Sequence, residues 1–309
     1  MDLDAIIVGG GPAGLQAAQT LGRMHRPVLL LDGGSYRNDP ADHLHNFVSR
    51  DGTPPAELRA VARRELEAYE TVEVRDGVVA TIATDGDGFV VVPADGSGPL
   101  RSRRLLLATG LRDTLPDVPG LEGLFGSVVA HCPYCHGHEF SGRHVGVLGA
   151  GPHAARVAMM VRRIASRITV FADGDELDDV SRDVVERAGV AVRPEKVLGL
   201  CRSSVGARVE LEGGLHEEVG GLFVAPSFAQ AAPFAAQLGL ALLPSGAVEV
   251  DLFGRTSRPG VFAGGDMAHQ AVYPMPLASV LNAAASGLVA ASALDQELMA
   301  LDAGFPALV

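Results

Sequence analysis

Two cysteines and three histidines stand within the eight residues from His131 to His138. Cys132 and Cys135 form a Cys-x-x-Cys pair, and His136 follows the second cysteine directly. Such a pair can close a small redox disulfide, hold half of a metal site or simply pack in a core. Thiol exchange needs a thiolate, and an imidazole can take the proton from an incoming thiol. His136 is therefore the first candidate acid/base, with His131 and His138 behind it.

The composition limits the class of protein to which this chemistry can belong. The chain has 309 residues, enough for two domains, and a net charge of −12 with no Lys/Arg cluster. We therefore expect neither a nucleic acid nor an anionic membrane as partner. No apolar run approaches the roughly 18 residues of a membrane span, and no basic leader opens the chain. With only three cysteines, a reducing cytoplasm is expected, where such a pair is catalytic or metal-binding.

The first forty residues contain a complete nucleotide-binding pattern. A strand at Ala5–Val8 leads into a glycine-rich turn, a helix from Leu15 to about Met24, and a second strand at Val28–Asp32. The glycines let the backbone approach a pyrophosphate at the helix N-terminus, and Asp32 would bind the ribose hydroxyls. The turn residues expected to hold the dinucleotide are Gly9, Gly11, Pro12, Ala13 and Gly14.

A second, degenerate glycine unit lies in the middle of the chain. Gly149–Ala154 joins the predicted strands Val145–Leu148 and Arg167–Phe171. The repeat predicts an α/β fold with two tandem Rossmann-like, doubly wound domains. The second strand is followed by 172–179, which has five acids and no Lys or Arg. These acids would repel the 2′-phosphate of NADPH, whereas NADH stays possible because Asp173 could accept from a ribose hydroxyl.

The rest of the chain adds a few local expectations. We expect a helix from Pro54 to Tyr69, strands and turns over 72–92, and a strand ending in Ala108-Thr109-Gly110. A long, alanine-rich apolar helix is predicted over 275–298. Cys201 lies in an apolar run and is expected to be a buried structural thiol.

Taken together, the ordered motifs resemble those of the low-molecular-weight thioredoxin reductase family of flavoproteins. The resemblance covers essentially the whole chain and implies FAD as cofactor and a homodimer. It implies a discontinuous FAD-binding domain, 1–115 and 240–309, around an inserted degenerate NAD(P)-binding-like domain, 116–239, that carries the cysteines. The motifs that carry the resemblance are Gly9–Gly14, Asp32, Ala108–Gly110, Cys132/Cys135, Gly149–Ala154 and Thr256–Asp266.

The resemblance also implies particular contacts with the cofactor. Asp266 would contact the ribityl side, and Ser279 and Val280 would lie by the isoalloxazine. The other predicted cofactor residues are Gly33, Arg37, Asn38, His45 and Asn46 in the loop after the second strand, with Val79, Ala108, Thr109, Gly110 and Gly265.

Two departures from the reductase pattern indicate a branch within the family. His136 replaces an aspartate after the second cysteine, and Ala172-Asp173-Gly174 replaces a His-Arg-Arg sequence. Both departures are similar to the dithiol oxidases of gliotoxin-like and holomycin-like natural products, which carry Cys-x-x-Cys-His and run without a nicotinamide. The resemblance implies a small-molecule dithiol substrate that attacks Cys132, with O2 as electron acceptor giving H2O2.

Three other readings stay open beside the oxidase. One is an NAD(P)H-dependent disulfide reductase of the thioredoxin reductase type, and another is a non-enzymic flavin-binding redox sensor. A zinc site formed by the cysteines and histidines is the third. Because four ligands within eight residues leave little room for a tetrahedron, we predict no metal.

Overall fold

The alternation of apolar runs and glycine turns produces two compact units, each built on a parallel sheet. A computed structural model describes residues 3–306 of the chain. Unit 1 comprises residues 3–37, 56–112 and 229–306, and unit 2 comprises 38–55 and 113–228. The division places the loop 38–55 with unit 2. The predicted domain boundaries, after residues 115 and 239, stay a prediction.

The elements have the following bounds. The strands are β1 Leu3–Val8, β2 Val28–Asp32, β3 Val72–Asp76, β4 Val79–Asp85, β5 Gly88–Pro93, β6 Leu100–Leu107, β7 Leu111–Thr114, β8 Val129–Ala130, β9 His144–Leu148, β10 Arg167–Phe171, β11 Ala191–Arg193, β12 Val197–Arg202, β13 Ala207–Leu211, β14 Leu215–Val219, β15 Gly221–Phe223, β16 Ser227–Gln230, β17 Val248–Glu249, β18 Val261–Ala263 and β19 Ala268–His269. The α-helices are α1 Pro12–Arg23, α2 Pro55–Leu66, α3 Pro133–His136, α4 Pro152–Val161, α5 Asp179–Arg187, α6 Phe234–Gln237 and α7 Val280–Ala303, and short 3-10 helices lie at Glu122–Leu124, His138–Phe140 and Glu212–Gly214.

The sheet of unit 1 has the strand order β3-β2-β1-β6-β5-β4. Strands β3, β2, β1 and β6 are parallel, whereas β5 and β4 continue as an antiparallel meander. The meander pairs with the first half of β6, and β18 pairs in parallel with its second half. This arrangement puts the carboxyl ends of β1, β6 and β18 side by side.

Both faces of this sheet are buried, as expected for continuous apolar strands. Ile7 and Leu30 face a core that they share with α1 and α7. Ile6 and Leu31 face the opposite core, which is closed by the meander and by 234–248. A fully buried Leu or Ile contributes about 1.5–3 kcal/mol, so the sheet is a rigid support for the turns at its edge.

Unit 2 contains a parallel sheet with the order β11-β10-β9-β15-β8 and a three-stranded antiparallel sheet, β12-β13-β14. Helices α4 and α5 contribute Ala158 and Val185 to the core beside the parallel sheet. Strand β8 leads directly to the cysteine pair, so the redox segment begins at the edge of this sheet.

The long helix α7 starts later than the sequence predicted. It spans Val280–Ala303, whereas the expected span was 275–298. Pro274 and Pro276 cannot donate to a helical ladder, and Ser279 caps the true start by accepting from the Asn282 amide at 3.1 Å. No helix among residues 3–306 is both long and apolar enough to cross a membrane.

The prediction that Cys201 is buried was wrong. Its side chain is exposed, because β12 is an edge strand and Cys201 lies on its open face opposite Arg208. Leu200, the preceding residue, faces the core instead. The alternation of side chains along β12 therefore leaves Cys201 exposed, which the apolar composition of this run did not reveal.

A buried carboxylate ties the strands of unit 2 together. Glu217 on β14 accepts hydrogen bonds from Arg167 at 2.6 Å, Arg193 at 2.8 Å and the buried Thr169 hydroxyl at 2.9 Å. Burial would raise the pKa of Glu217, but these donors outweigh burial and lower it. The ionised carboxylate thus links β14 to β10 and β11.

Glu217→Gln is expected to lower the free energy of unfolding by about 1–3 kcal/mol at pH 7, because charge-assisted hydrogen bonds are lost. Since the folded-state pKa is lowered, this contribution is complete above the unfolded pKa and shrinks as pH falls below about 4. Denaturant unfolding at several pH values measures it. Glu210→Gln, on the exposed side of β13, is the control, and an equal effect of both changes would contradict the role of Glu217.

Candidate functional site

The cysteine pair lies on a single helical turn. Cys132 precedes α3 in an extended conformation, and Pro133 occupies the first helical position, where its missing N–H costs nothing. Residues three apart on a helix lie on one side, so Cys135 comes back over Cys132. The two form a disulfide with their Cα atoms 5.3 Å apart. The pair is therefore present as a redox disulfide.

The disulfide is partly accessible. Cys132 and Cys135 are half-buried, and Tyr134 between them is exposed. The turn that carries the pair is therefore not enclosed in the core of unit 2. Among residues 3–306, no group of three or more His, Cys, Asp or Glu side chains is placed to hold a metal ion.

The three neighbouring histidines have different surroundings. His136 is half-buried, and burial lowers its pKa, an effect only partly offset by a hydrogen bond to the Gly126 carbonyl and by the charge of Glu139. Its Nδ1 atom is buried without a hydrogen-bond partner among the described residues. His131 is stacked on Phe125, with the ring centroids 5.8 Å apart, whereas His138 is exposed. Because burial lowers its pKa, His136 is neutral at pH 7 and can act as a proton acceptor.

In unit 1, three distant chain segments meet at the carboxyl ends of β1, β6 and β18. The Ala108 amide donates to Val8 at 2.8 Å, and the Gly264 amide donates to Leu107 at 3.0 Å. The Thr109 hydroxyl lies 3.4 Å from the Met267 sulfur. The predicted turn residues Gly9–Gly14, Ala108–Gly110 and Gly265–Asp266 are therefore brought to one edge of the sheet.

The glycine turn has the shape of a pyrophosphate cradle. A side chain at Gly14 would overlap the Gly9 carbonyl, and one at Gly9 would overlap Ala108. At Gly11 a Cβ atom would meet nothing within 4 Å, so space is open above the start of α1. Helix N-termini with open backbone N–H groups attract phosphate. These residues therefore fit the pyrophosphate of a dinucleotide.

The acid at the end of β2 is buried and organised. Asp32 is 2% exposed and accepts from the Gly34 amide at 3.0 Å and from the Tyr36 hydroxyl at 2.6 Å. Arg63 on α2 lies 3.2 Å from the same carboxylate. Burial and the hydrogen bond to Asp32 raise the pKa of Tyr36 to about 12. Sequence reasoning found Asp32 but missed Tyr36 and Arg63, for which no motif exists.

The remaining predicted cofactor residues fall into two groups. In unit 1, Arg37 is paired with Asp266 at 2.9 Å, and the turn before Val79 is bound to β2 by the Gly77 amide, which donates to Asp32 O at 2.8 Å. Gly33 follows Asp32 directly, and Ser279 and Val280 form the start of α7. The loop residues Asn38, His45 and Asn46 lie in unit 2, together with the cysteine pair.

The second glycine turn is formed in unit 2, but its acid is already engaged. Asp173 accepts from the Val197 amide at 2.9 Å with one oxygen, and the Lys196 ammonium lies 3.1 Å from the other. Each carboxylate oxygen keeps a second lone pair, so Asp173 can still accept from a ribose hydroxyl, as Asp32 can in unit 1. The five acids of 172–179, with no Lys or Arg among them, disfavour the 2′-phosphate of NADPH.

Comparison with known proteins places the chain among relatives of similar length. The model of the family described as pyridine nucleotide-disulphide oxidoreductase matches residues 3–287. The thioredoxin reductase tcpT of Claviceps purpurea is 34% identical over 314 residues, which cover 96% of this chain and 95% of that protein. The crystal structure of HlmI superposes with a TM-score of 0.89 at 35% identity, covering 98% of this chain and 94% of that one. An oxidoreductase from Agrobacterium tumefaciens superposes with a TM-score of 0.88 at 34% identity, covering 97% and 99%.

Two glycine substitutions should separate folding from cofactor retention. In Gly10→Ala the new methyl overlaps the Asp32 carboxylate, so we expect a loss of about 1–3 kcal/mol in stability together with loss of flavin. In Gly11→Ala the methyl meets no protein atom but enters the cradle, so the melting temperature of the apoprotein should stay near that of the wild type while flavin content falls. Apoprotein melting and flavin absorbance per chain measure the two effects. Full flavin retention by Gly11→Ala would contradict the cradle.

Proposed function

Because this chain belongs to the pyridine nucleotide-disulphide oxidoreductase family, we propose that it is an FAD-dependent dithiol oxidase. The family match and the thioredoxin reductase relatives confirm the predicted flavoprotein family, the α/β fold and the enzyme class, a flavin-dependent thiol/disulfide oxidoreductase. The finer assignment is that the enzyme forms a disulfide in a small-molecule dithiol and passes the electrons to O2, giving H2O2.

The observation that carries the proposal is the pairing of the Cys132–Cys135 disulfide with His136. An accessible disulfide is the oxidised, electron-accepting state of the pair. An imidazole whose pKa is lowered by burial is neutral at physiological pH and can accept a thiol proton. Together they supply the electron acceptor and the proton acceptor that thiol oxidation requires. The five acids of 172–179, with no Lys or Arg among them, also support an enzyme that does not draw its electrons from NADPH.

The residues allow a balanced exchange. A substrate thiol, with an ordinary pKa of about 8.5, loses its proton to His136, and its sulfur attacks Cys132. The bond between Cys132 and Cys135 breaks, and Cys135 takes the electron pair as a thiolate. The second substrate thiol passes its proton to the Cys135 thiolate, attacks the first substrate sulfur and releases Cys132, which takes the proton that His136 holds. The substrate leaves as a disulfide, and the cysteine pair is reduced by two electrons.

The reduced cysteine pair would be reoxidised by the cofactor that the residues of unit 1 hold. The glycines of the first turn would hold the pyrophosphate of FAD, Asp32 its ribose, and Asp266 its ribityl side. When bound, FAD supplies a two-electron acceptor that reoxidises the cysteine pair and passes the electrons to O2.

The alternative function is a disulfide reductase. The relatives' name, thioredoxin reductase, favours it, and NADH or another donor would then feed the flavin. A non-enzymic redox sensor is the third possibility, and the intact cysteine pair disfavours it. The small dithiol substrate, the homodimer and the cytoplasmic location also stand as proposals.

Purified holoenzyme with dithiothreitol as the probe should consume O2, lose thiol and form H2O2 without added nicotinamide. Alanine at Cys132 or Cys135 should abolish this turnover, because the exchange needs both sulfurs, whereas Cys201→Ala should leave it unchanged. Oxygen-electrode and peroxide assays give the result. If no dithiol supports oxygen uptake while NADH rapidly bleaches the flavin, the enzyme is a reductase instead.

His136→Gln should slow thiol oxidation by about 100-fold or more, because the general base is lost. In the wild type, the His136 ring should titrate below pH 6.5, since burial lowers its pKa, so the neutral base persists into mildly acidic solution. Histidine-selective NMR titration, with the signal assigned by its absence in the variant, measures this. His216→Gln, an exposed change on β14, is the control. A titration midpoint at or above 6.5 would contradict the assignment.

A further inference from the structure

We propose that the groove between α4 and α5 of unit 2 binds an acidic amphipathic helix of a partner protein. The inference goes beyond the function proposed above and does not depend on it. Two features of this surface carry it, an open apolar floor and a cationic flank. A helix bound in a groove uses both, because apolar side chains anchor it and charges set its orientation.

The floor of the groove is apolar. The groove has a volume of about 200 Å³, and its apolar lining consists of Pro152, Ala155, Met159, Val180 and Val184. Val180 and Val184 are four residues apart and therefore lie on one side of α5. Val180 is 74% exposed, an unusual position for an aliphatic side chain. A partner's apolar side chain in the groove would remove this surface from water.

The lining offers little that could orient a small ligand. Small-molecule sites combine an apolar wall with a few well-placed polar groups. The hydroxyl in this lining belongs to Ser181, and it already donates to Asp178 at 2.6 Å, while the Ser181 amide donates to the same carboxylate at 3.0 Å. The floor therefore suits the apolar face of another helix.

The two helices that border the groove run in the same direction. Helix α4 connects β9 to β10, and α5 connects β10 to β11, and these strands are parallel neighbours. Such crossovers place successive helices side by side on one face of the sheet. The last turns of α4 and α5 thus lie at the same end of the groove, where Arg163 and Arg187 are found.

The α4 side of the groove is cationic in an otherwise acidic chain. Residues 140–172 contain five arginines and no acid, although the whole chain has a net charge of −12. Arg156 lines the groove, and Arg163 follows it by two helical turns, since Arg162 still has helical backbone angles. Both arginines are exposed, and among residues 3–306 neither has a carboxylate partner.

The neighbouring groups do not cancel this charge. Burial, together with the charge of Arg156, lowers the pKa of His153, so its ring is neutral at pH 7. On the other flank, Asp183 of α5 is paired with Arg187 at 2.6 Å. A bound acidic helix would therefore turn its carboxylates toward α4. Duplex DNA fits this surface less well, because it has no apolar side chains for the floor and would be repelled by the acidic chain.

The test uses the flavin-loaded enzyme and three fluorescein-labelled peptides of about 18 residues, or five helical turns. The first peptide has leucine on one face and glutamate on the other, the second has lysine in place of glutamate, and the third has serine in place of leucine. Fluorescence anisotropy should show saturable binding of the first peptide alone, weakened about 10-fold by raising NaCl from about 50 to about 500 mM. Hydrogen exchange, followed by mass spectrometry, should slow in α4 and α5 of the complex and stay unchanged in unit 1.

Arg156→Glu combined with Arg163→Glu should weaken binding of the first peptide about 10-fold or more, because like charges then face each other. Val180→Asp should do the same, because it places a charge on the apolar floor. Flavin content and melting temperature should stay near those of the wild type in each case.

Two matched controls should keep the wild-type affinity. Arg64→Glu combined with Arg202→Glu changes the net charge equally at exposed positions elsewhere, and Val205→Asp changes another exposed valine of unit 2. The proposal is overturned if the first peptide does not bind, if test and control variants lose affinity equally, or if the lysine peptide or a DNA duplex binds more tightly. Because these measurements need neither thiol nor O2, they stay decisive even if the oxidase activity is not found.

Discussion

The single helical turn that brings Cys132 and Cys135 together is the constraint on which the redox segment of unit 2 depends. Both sulfurs must sit on one turn of helix, so the turn is short, starts with a proline and leaves the strand edge at once. The same turn carries His136 inward and Tyr134 outward. Burial of the imidazole then follows from the backbone, and its lowered pKa follows from burial. The surroundings of the imidazole are therefore set by the same turn that brings the two sulfurs together.

Unit 1, in our proposal, holds a large cofactor with few side chains. Its parallel strands end at one edge, and the glycines there remove Cβ atoms that would fill the cradle. Gly287 of α7 lies so close to Ala13 of α1 that a side chain there would overlap its carbonyl. Small residues thus bring the first and last segments of the chain together. The binding edge is made of backbone, with Asp32 as its buried acid.

Much of this arrangement could be predicted from spacing. Local sequence patterns predicted the glycine turns, the cysteine pair and the strands at Val28–Asp32 and Arg167–Phe171. The partners of His45 were not predictable, because Glu139 and Asp51 meet it only through the fold of the loop 38–55. The predictions of a buried Cys201 and of a helix starting at residue 275 were wrong for similar reasons. The exposure of Cys201 depends on strand register. The start of α7 depends on two prolines and a serine cap, which the apolar composition of the segment does not show.

The engagement of Asp173 has a consequence for redesign of this scaffold. Asp173, which could accept from a ribose hydroxyl, also contacts the Lys196 ammonium and the Val197 amide within unit 2. Arginines added beside Asp173 to bind the 2′-phosphate of NADPH would therefore compete with Lys196 for the same carboxylate. Replacing Asp173 itself would remove both contacts and loosen the link between β10 and β12.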